Sequence, residues 1–547
     1  MAGHWNPGRR TAEDHGVSVI PTAVPPPLRR VEGGPVYTRR RPELTTLHKV
    51  VRENLNTFYA ATEAGFDGTP LPRFVRQELD GYVGCGALNR GFAHLRCEGC
   101  SDSRLCAFSC HGRGFCPSCF GRRMAQTSAN FLDHVLPKVP LRQWVLTLPH
   151  ALRARLAYDG PLLRAVVRLF TDTVLGWYRR RMEIAVAPDG RGGAITVVQR
   201  TSSDLRCNPH VHAIFVDGVF VADGGRPTFH ALPHLSDTGV ADVLQIARTR
   251  IIRFLARRGV VDVADDVVTV SDDLADRDPV LAALAAASVQ GLPPAGPARR
   301  KPMLVALPGR AQATIKSALC VDHAGFGLHA ATTASVDDAR GREALVKYVL
   351  RPPVANERLE MTPDGNVRLL LKKSFRDGTA AIEMQPLALL ARLATAVPPP
   401  RRHVVGYLGV LSSACRLRPL VVPPLPPPPA PEAPAAIAPP PHSPPPPAEP
   451  DRRKATHRCR YRAVLELMAR TFGDDLVACT RCGGRMRLVA LVKDQKSIDR
   501  FLRGIAESTD FPPLSPARGP PYFTTPGSRA AKAAAPAFAP EPLDESA

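Results

Sequence analysis

The chain reads Asn208-Pro-His-Val-His-Ala-Ile-Phe-Val216 near its middle, and this stretch predicts a β-strand. Alternate side chains of a strand lie on one face, so His210 and His212 are expected to project together. Val211 and Ala213 are expected on the opposite face. Two adjacent imidazoles are a suitable pair of metal ligands, although a hydrogen-bonded pair of core histidines gives the same pattern. The stretch therefore predicts a metal site on one face of a sheet.

Gln199 is the candidate third ligand of this site, because it ends the preceding predicted strand and can reach the histidines across the hairpin. A neutral amide oxygen together with the imidazoles of His210 and His212 suits Mg²⁺ or Mn²⁺. Three protein ligands leave positions open for a phosphate, whose developing charge the ion would offset during cleavage of a phosphodiester.

A helix that ends in Lys347-Tyr-Val-Leu-Arg-Pro-Pro353 carries the candidate nucleophile. Asp337 or Asp338 can cap its start, and the two prolines stop it after about Leu350. The phenolate of Tyr348 is expected to attack phosphorus, which leaves a 5′-phosphotyrosine and a free 3′-hydroxyl. A tyrosine packed in the core would show the same helical spacing, and that alternative stays open.

Seven of the thirteen cysteines fall between residues 85 and 119. Two C-x2-C motifs stand out, Cys97-Glu-Gly-Cys100 and Cys116-Pro-Ser-Cys119, separated by 15 residues. This spacing is typical of a zinc ribbon and predicts one structural zinc ion held by Cys97, Cys100, Cys116 and Cys119. Cys106, Cys110 and His111 lie between the motifs, where they could replace a ligand or form a second site. Buried free thiols are the alternative.

The charge of the chain favours a polyanionic partner. The formal net charge is +22 and the sequence pI is about 9.9, which points to nucleic acid before a membrane surface. A solvated basic surface would have the same composition. The candidate phosphate contacts are Lys347, Arg351, Arg122 and Arg123.

The sequence shows neither an apolar run of 18 residues nor an apolar signal core near its start. We therefore expect no membrane span and a cytoplasmic location. The abundance of Ala, Arg, Pro and Val is typical of a bacterial source with high genomic GC content. A DNA-binding protein in such a cell is expected at the nucleoid.

The order of these motifs resembles the HUH-type rolling-circle transposases of the IS91 family, including its common-region relatives, over roughly residues 45 to 415. The most specific segments are Phe108-Ser-Cys-His-Gly-Arg-Gly-Phe-Cys-Pro-Ser-Cys119, Asn208-Pro-His-Val-His212, Gly325-Phe-Gly-Leu-His-Ala330 and Tyr348-Val-Leu-Arg-Pro-Pro353. The resemblance implies an α+β HUH nuclease domain, in which an antiparallel sheet is flanked by helices and carries the histidine pair on a central strand. It also implies nicking and transfer of single-stranded DNA at insertion-sequence ends.

Some members of the family carry a second tyrosine four residues before the nucleophile. Here that position is Ala344, so the chain resembles the single-tyrosine subgroup. One tyrosine cannot hold two DNA ends at once. Either a second subunit of a homodimer contributes, or Tyr348 is used twice, or the freed 3′-hydroxyl completes the transfer. A plasmid relaxase or replication initiator and a non-catalytic zinc-dependent DNA-binding protein are the competing functions.

Composition and motifs together predict six segments along the chain. They are a disordered basic and proline-rich segment (1–45), a helical and zinc-binding module (46–125), the HUH domain (140–415), a proline-rich linker (416–455), a small C-terminal module (456–512) and a disordered tail (513–547). The C-terminal module contains the motif Cys479-Thr-Arg-Cys482. His457 and Cys459 could complete a zinc site with it, and a turn with free thiols is the alternative.

Overall fold

The structure is a computed structural model that describes residues 41–183, 189–222, 225–264, 267–270, 274–292, 307–308, 312–375, 377–401, 404–422, 478–479, 481–509, 511–522 and 529–532. These residues divide into two units. Unit 1 contains described residues of 41–49, 80–111 and 478–513, and unit 2 contains those of 50–79, 112–422 and 514–532.

The helices of the described residues are α1 (Thr46–Ala64), α2 (Arg73–Val83), α3 (Pro117–His134), α4 (His150–Tyr158), α5 (Gly160–Glu183), α6 (Asp237–Arg257), α7 (Leu274–Arg277), α8 (Pro279–Gln290), α9 (Ala339–Val349), α10 (Pro386–Ala396), α11 (Arg418–Val421) and α12 (Gln495–Gly504). Short 3-10 helices lie at Pro42–Leu44, Leu88–Arg90 and Asn356–Arg358. In the part of the chain that is described, no helix combines the length and the apolar character needed to cross a bilayer.

The first ten strands are β1 (Phe92–Cys97), β2 (Ser103–Ala107), β3 (Leu141–Thr147), β4 (Gly193–Thr201), β5 (Cys207–Val216), β6 (Gly218–Val221), β7 (Thr228–Ala231), β8 (Val261–Ala264), β9 (Val267–Val270) and β10 (Leu307–Pro308). The others are β11 (Thr314–Ser317), β12 (Cys320–His323), β13 (Phe326–His329), β14 (Thr333–Ala334), β15 (Leu359–Met361), β16 (Val367–Leu370), β17 (Thr379–Met384), β18 (Val405–Gly409), β19 (Met486–Val492) and β20 (Arg529–Lys532).

An antiparallel sheet forms the centre of unit 2. Its strand order is β11-β12-β13-β3-β5-β4-β18, with β14 paired beside β3, which makes eight strands among the described residues. The histidine strand β5 lies between β3 and β4, so it is central, as the family resemblance implied. The architecture is α+β, with helices on both faces of an antiparallel sheet, and confirms the expected fold class.

Alternation along β5 divides its side chains between the two faces of the sheet. Val211, Ala213 and Phe215 are fully buried in a core that includes apolar residues of α5 and α6. Ile214 and Val216 belong to the opposite core, formed with residues of α3 and α9. Burying an aliphatic or aromatic side chain of this size contributes about 1.5–3 kcal/mol, so this alternation sets which face of β5 meets which helices.

A buried polar chain links α5 to the sheet. The indole N–H of Trp144 on β3 donates to the hydroxyl of Tyr178 at 3.0 Å, and that hydroxyl donates to Asp217 Oδ1 at 3.0 Å. Arg142 completes the chain through a 2.9 Å ion pair with Asp217. Burial, together with the charge of Asp217, holds the pKa of Tyr178 well above its ordinary value. The polar groups of these four side chains are thus paired with one another, and the pairing orients β3 against α5.

Unit 1 joins two segments that lie far apart in the sequence. Within its described residues, the sheet order is β19-β1-β2, and β19 pairs with β1 from Phe92↔Val492 to Cys97↔Met486. The helix α12 packs Ile498 and Leu502 onto Leu88 and Phe92. Sequence composition had assigned β1 and β19 to separate modules. In the structure both strands belong to one sheet, because β19 pairs with the edge of β1 that does not face β2.

Parts of the predicted C-terminal tail are ordered. The backbone N–H of Ser515 donates to the carbonyl of Arg52 at 3.1 Å, and Arg518 donates to Asn54 Oδ1 at 2.8 Å. Further on, β20 adds an edge strand to β17. These bonds to partners far away in the sequence order segments whose own composition is rich in alanine and proline. The proline-rich run 423–450, His457 and Cys459 lie outside the described residues.

Candidate active site

The two histidines of β5 lie on the face of the sheet that α9 covers. His210 is paired in register with Thr147 on β3 and with Gln199 on β4, and His212 occupies the next position on the same face. Their ring centroids are 4.8 Å apart. The sheet therefore brings together the three metal ligands predicted from the sequence.

His210 is held as the tautomer that suits a metal ligand. Its Nδ1 lies 2.7 Å from the backbone carbonyl oxygen of Asn208. A carbonyl oxygen only accepts, so Nδ1 donates the proton and Nε2 keeps its lone pair. This bond within the strand leaves Nε2 as the nitrogen available to a ligand.

His212 is almost fully buried, with 3% of its surface exposed. Its Nδ1 lies 2.8 Å from the side-chain amide of Gln143, which is itself buried. Its Nε2 is buried without a hydrogen-bond partner among the described residues. A buried polar atom without a partner costs free energy, and a metal ion at Nε2 would remove this cost. The residues present therefore fit a bound divalent cation.

Burial keeps both imidazoles neutral. It lowers the pKa of His210 to about 4, and the cationic Arg351 and Arg153 act in the same direction against the opposing bond to Asn208. Burial, together with the neighbouring His210 and Arg351, lowers the pKa of His212 to about 2. A neutral imidazole is the form that binds a metal ion, so the site is prepared at physiological pH.

Tyr348 lies in the last turn of α9, beside His212. Asp338 caps the helix by accepting a hydrogen bond from the N–H of Gly341 at 2.7 Å, as the sequence predicted for one of the two aspartates. Leu345 and its buried neighbours pack on the sheet, whereas 45% of Tyr348 is exposed. The ring centroids of Tyr348 and His212 are 5.7 Å apart in an edge-to-face arrangement. The structure thus excludes a core position for this tyrosine.

The two basic residues that flank Tyr348 differ in their contacts. The guanidinium carbon of Arg351 lies 4.2 Å from the centroid of the Tyr348 ring. A cation over an aromatic face is attractive and holds Arg351 next to the phenol. Lys347 instead forms a 2.9 Å ion pair with Glu343 one turn earlier on the helix. Arg351 is therefore the better placed of the two to meet a phosphate at Tyr348.

Gln199 fastens the end of α9 to the sheet. Its side-chain N–H₂ donates to the carbonyl oxygens of Tyr348 at 3.1 Å and Val349 at 3.0 Å. The last carbonyls of a helix lack partners within the helix, so these bonds satisfy them. The amide nitrogen of Gln199 is thus occupied by the helix, and its amide oxygen is the atom left for a metal ion.

A pocket next to this helix end is strongly basic. We call it the basic pocket; its cationic lining residues are Arg113, Arg123, Arg200, Arg351, Arg358 and Lys372. Partial burial, together with the charges of Arg351 and Arg358, lowers the pKa of Lys372 to about 8. The cations around this pocket repel one another, and a bound anion would reduce that repulsion.

Two of the four candidate phosphate contacts, Arg123 and Arg351, line the basic pocket. Arg122, the neighbour of Arg123 on α3, does not line it among the described residues. Arg358 and Lys372 lie in a short helix and a turn that have no motif, so no local signal identifies them. Tertiary folding alone places them next to Arg351, at the C-terminal end of α9.

The predicted zinc ligands do not form one group. Cys97 and Cys100 lie in unit 1, where their sulfurs and those of Cys479 and Cys482 are all within 4.8 Å of one another. Cys116 and Cys119 lie in unit 2, at the N-cap and in the first turn of α3, and stay a predicted ligand pair. The C-x2-C spacing predicts which two cysteines share a turn. It cannot predict which second turn joins them, because strand pairing between distant segments decides that.

Comparisons with known families match two parts of the chain. A family model described as "Putative transposase" matches residues 193–418. A second model, described as "Transposase zinc-binding domain", matches residues 52–148. The first range contains the histidine pair and Tyr348, and the second contains Gln143 and the two N-terminal C-x2-C motifs. The second match, together with the cysteine group of unit 1, supports structural zinc.

One similar protein is the transposase for insertion sequence element IS801 from Pseudomonas savastanoi pv. phaseolicola. It is 29% identical over 132 residues, which cover 24% of this chain and 30% of that transposase. The chain thus matches less than a third of the length of this relative. No solved structure matches the chain. The two family matches and this relative agree with the order of motifs in the sequence, and together they support a transposase of the IS91 family.

Proposed function

We propose that this chain is an HUH-type DNA strand transferase, which nicks single-stranded DNA at the ends of its insertion sequence and carries the cut end on Tyr348. The observation that carries this proposal is the edge-to-face contact of the exposed Tyr348 ring with His212, whose buried Nε2 has no hydrogen-bond partner among the described residues. A nucleophile, a metal-ligand pair and a basic pocket thus meet at one end of α9.

Mg²⁺ or Mn²⁺ would be held by Nε2 of His210 and Nε2 of His212, with the amide oxygen of Gln199 as the third protein ligand. When bound, the ion would offset negative charge on the scissile phosphate. Gln143 orients the ring of His212 through its bond to Nδ1. An amide can offer its oxygen in place of its nitrogen at nearly the same position, so Gln143 can accept from Nδ1–H and leave the lone pair on Nε2.

The covalent step exchanges one phosphate ester for another. The bond from Tyr348 Oη to phosphorus forms, and the bond from phosphorus to the 3′ oxygen breaks. The phenol loses one proton and the departing 3′ oxygen gains one, so the products are a 5′-phosphotyrosine and a 3′-hydroxyl. No energy source is consumed, and the reverse attack by a 3′-hydroxyl can join strands. A rolling-circle route of transposition uses this reversibility.

Arg351 stabilises the phenolate and the phosphate next to it, since its guanidinium already lies over the tyrosine ring. The basic pocket would hold the neighbouring phosphates of the same strand. Contacts to phosphates position DNA without reading its sequence, so the pocket explains affinity and not the choice of site. The single tyrosine implies a homodimer, a second use of Tyr348, or completion by the freed 3′-hydroxyl. The working location would be the nucleoid of a bacterial cytoplasm.

The test is the formation of a covalent adduct with end-labelled single-stranded DNA from the element's termini, in Mg²⁺ or Mn²⁺, read on a denaturing gel. The wild-type chain should form the adduct, and chelation or Tyr348→Phe should abolish it. Tyr407→Phe is the matched control, because Tyr407 is a similarly exposed tyrosine on β18. It should retain the adduct.

Two other results would redirect the proposal. An adduct that forms on a plasmid origin and not on element termini would favour a relaxase or replication initiator. DNA binding without any adduct, unchanged in Tyr348→Phe, would show a non-catalytic DNA-binding protein.

A further inference from the structure

We propose that Cys97, Cys100, Cys479 and Cys482 bind one zinc ion, which holds the C-terminal segment of unit 1 (residues 478–513) to the β1–β2 hairpin. The site goes beyond the proposed DNA chemistry and lies entirely within unit 1. Its two halves are nearly 400 residues apart in the sequence, so no local pattern joins them.

The four sulfurs have the spacing of a tetrahedral thiolate site. Cys97 Sγ lies 3.5 Å from Cys482 Sγ, and Cys100 Sγ lies 3.6 Å from Cys479 Sγ. All four are within 4.8 Å of one another. Zinc–sulfur bonds of about 2.3 Å place the corners of a tetrahedron roughly 3.8 Å apart. One ion at the centre would therefore contact all four thiolates with little rearrangement.

Both C-x2-C turns have the same backbone geometry. In the first, the N–H of Cys97 donates to the carbonyl of Asp102, and the N–H of Ser101 donates to the carbonyl of Cys97. In the second, the N–H of Cys479 donates to the carbonyl of Gly484, and the N–H of Gly483 donates to the carbonyl of Cys479, at the corresponding positions of the turn. Two unrelated segments thus fold into the same turn, which points to one shared ligand.

Each turn also directs a backbone donor at a sulfur. The N–H of Gly99 lies 3.3 Å from Cys97 Sγ, and the N–H of Gly484 lies 3.4 Å from Cys482 Sγ. Hydrogen bonds to the charged form of a group favour that form, so these donors favour the thiolates that zinc binds. The residues that follow the two turns, Ser101 and Gly483, have φ angles of 60° and 69°. This left-handed conformation closes both turns.

The surrounding fold brings the two turns into contact. Cys97 is paired with Met486 in the β1–β19 ladder, and the N–H of Glu98 donates to the carbonyl of Arg485 at 3.0 Å. Leu95, Cys97, Cys479 and Met486 form a small buried cluster. Such a small core supplies little stability by itself, and a metal ion is a common supplement in modules of this size. The ion and the strand pairing would therefore stabilise each other.

The site is tested by counting zinc in the purified full-length chain and in variants. Cys479→Ser/Cys482→Ser should lose one zinc per chain relative to the wild type. Cys97→Ser/Cys100→Ser should lose the same single equivalent, and the quadruple variant should lose no more. Cys320→Ser/Cys415→Ser is the matched control and should retain the wild-type content, because neither cysteine belongs to the group.

Two outcomes would overturn the site. The first is an unchanged zinc content in Cys479→Ser/Cys482→Ser. The second is the loss of two zinc ions per chain in the quadruple variant, which would mean that the two cysteine pairs belong to separate sites.

A second measurement uses the wild-type chain, so it tests the site even if these variants fold poorly. Removal of zinc from the wild-type chain should increase hydrogen exchange at the amides of 486–492, and restoring zinc should reverse the change. Exchange that does not respond to zinc would contradict the proposal. Neither readout depends on DNA cleavage, so failure of the zinc site and failure of the tyrosine chemistry are distinguishable.

Discussion

Burial lowers the pKa of His210 and His212 and so keeps both side chains in the neutral form. An exposed imidazole is partly protonated near neutral pH and competes poorly for a metal ion. In this chain, burial and the neighbouring His210 and Arg351 lower the pKa of His212 to about 2, while Gln143 fixes the ring. In the part of the chain that is described, its buried Nε2 has no hydrogen-bond partner. The sheet therefore presents a neutral nitrogen that a metal ion can bind without first displacing a proton.

Gln143 is expected to be a positioning residue for the metal. Gln143→Leu removes the bond to His212 Nδ1 and should weaken Mn²⁺ binding about 10- to 100-fold, as for other partners of ligating histidines. Titration calorimetry with Mn²⁺ in the absence of DNA measures this effect. Gln143→Glu keeps an acceptor for Nδ1–H and should retain most of the affinity. Equal affinity in the leucine variant and the wild type would refute this role.

Lys372 should make DNA binding depend on pH. Its pKa is lowered to about 8, so the cation that meets a phosphate is present below pH 8 and is lost above it. Affinity for a short single-stranded oligonucleotide should therefore fall between pH 7 and pH 9. Lys372→Arg should abolish that fall. Lys372→Met should lower the salt-dependence slope by about 0.7, the value for one phosphate contact on a single strand. Fluorescence anisotropy measures both effects, and a pH-independent wild type would contradict the prediction.

At the scale of elements, α9 is fastened at both ends. Asp338 caps its start, and Gln199 binds the carbonyls of its last turn. Between these ends, Leu345, Val346 and Val349 are buried against the sheet. Tyr348 is thus exposed on a helix that is held at both ends, which suits its proposed role as a nucleophile that must meet a phosphate in a fixed geometry.

The two aspartates before α9 offer a matched pair of substitutions. Asp338→Ala removes the cap and should lower the free energy of unfolding of unit 2 by about 1 kcal/mol. Asp337→Ala removes no side-chain cap and should change it by less than about 0.5 kcal/mol. Urea denaturation followed by circular dichroism measures both. The prediction is wrong if Asp337→Ala is the more destabilising of the two.

At the scale of the whole molecule, the C-terminal part of the chain contributes to both units. Residues 478–513 complete the sheet of unit 1, and β20 extends the sheet of β17 in unit 2. A chain that ended after β18 would lack these strands and two of the four clustered cysteines. The C-terminal region is therefore part of both folded units and not an appended module.

Cleavage of the chain within its proline-rich run tests this organisation. With a specific protease site inserted between residues 423 and 450, the two fragments should stay together during gel filtration while zinc is bound. Chelation should increase their separation, because the metal site and the short sheet of unit 1 stabilise each other. Fragments that separate fully with zinc present would show that the C-terminal region is an independent module.

The sequence by itself determined the local geometry of the site. The alternation of β5 placed His210 and His212 on one face, Asp338 and the prolines bounded α9, and each C-x2-C motif formed its own turn. These features depend on residues within a few positions of one another, where backbone period and capping decide the outcome.

The tertiary structure alone decided which distant groups meet. It placed Gln143 against His212, gathered the basic pocket at the C-terminal end of α9, and brought Cys97 and Cys100 together with Cys479 and Cys482. Each of these contacts depends on which strands pair and in which register. Register is set by the burial of whole faces against each other, a property of the complete fold that no short stretch of sequence contains.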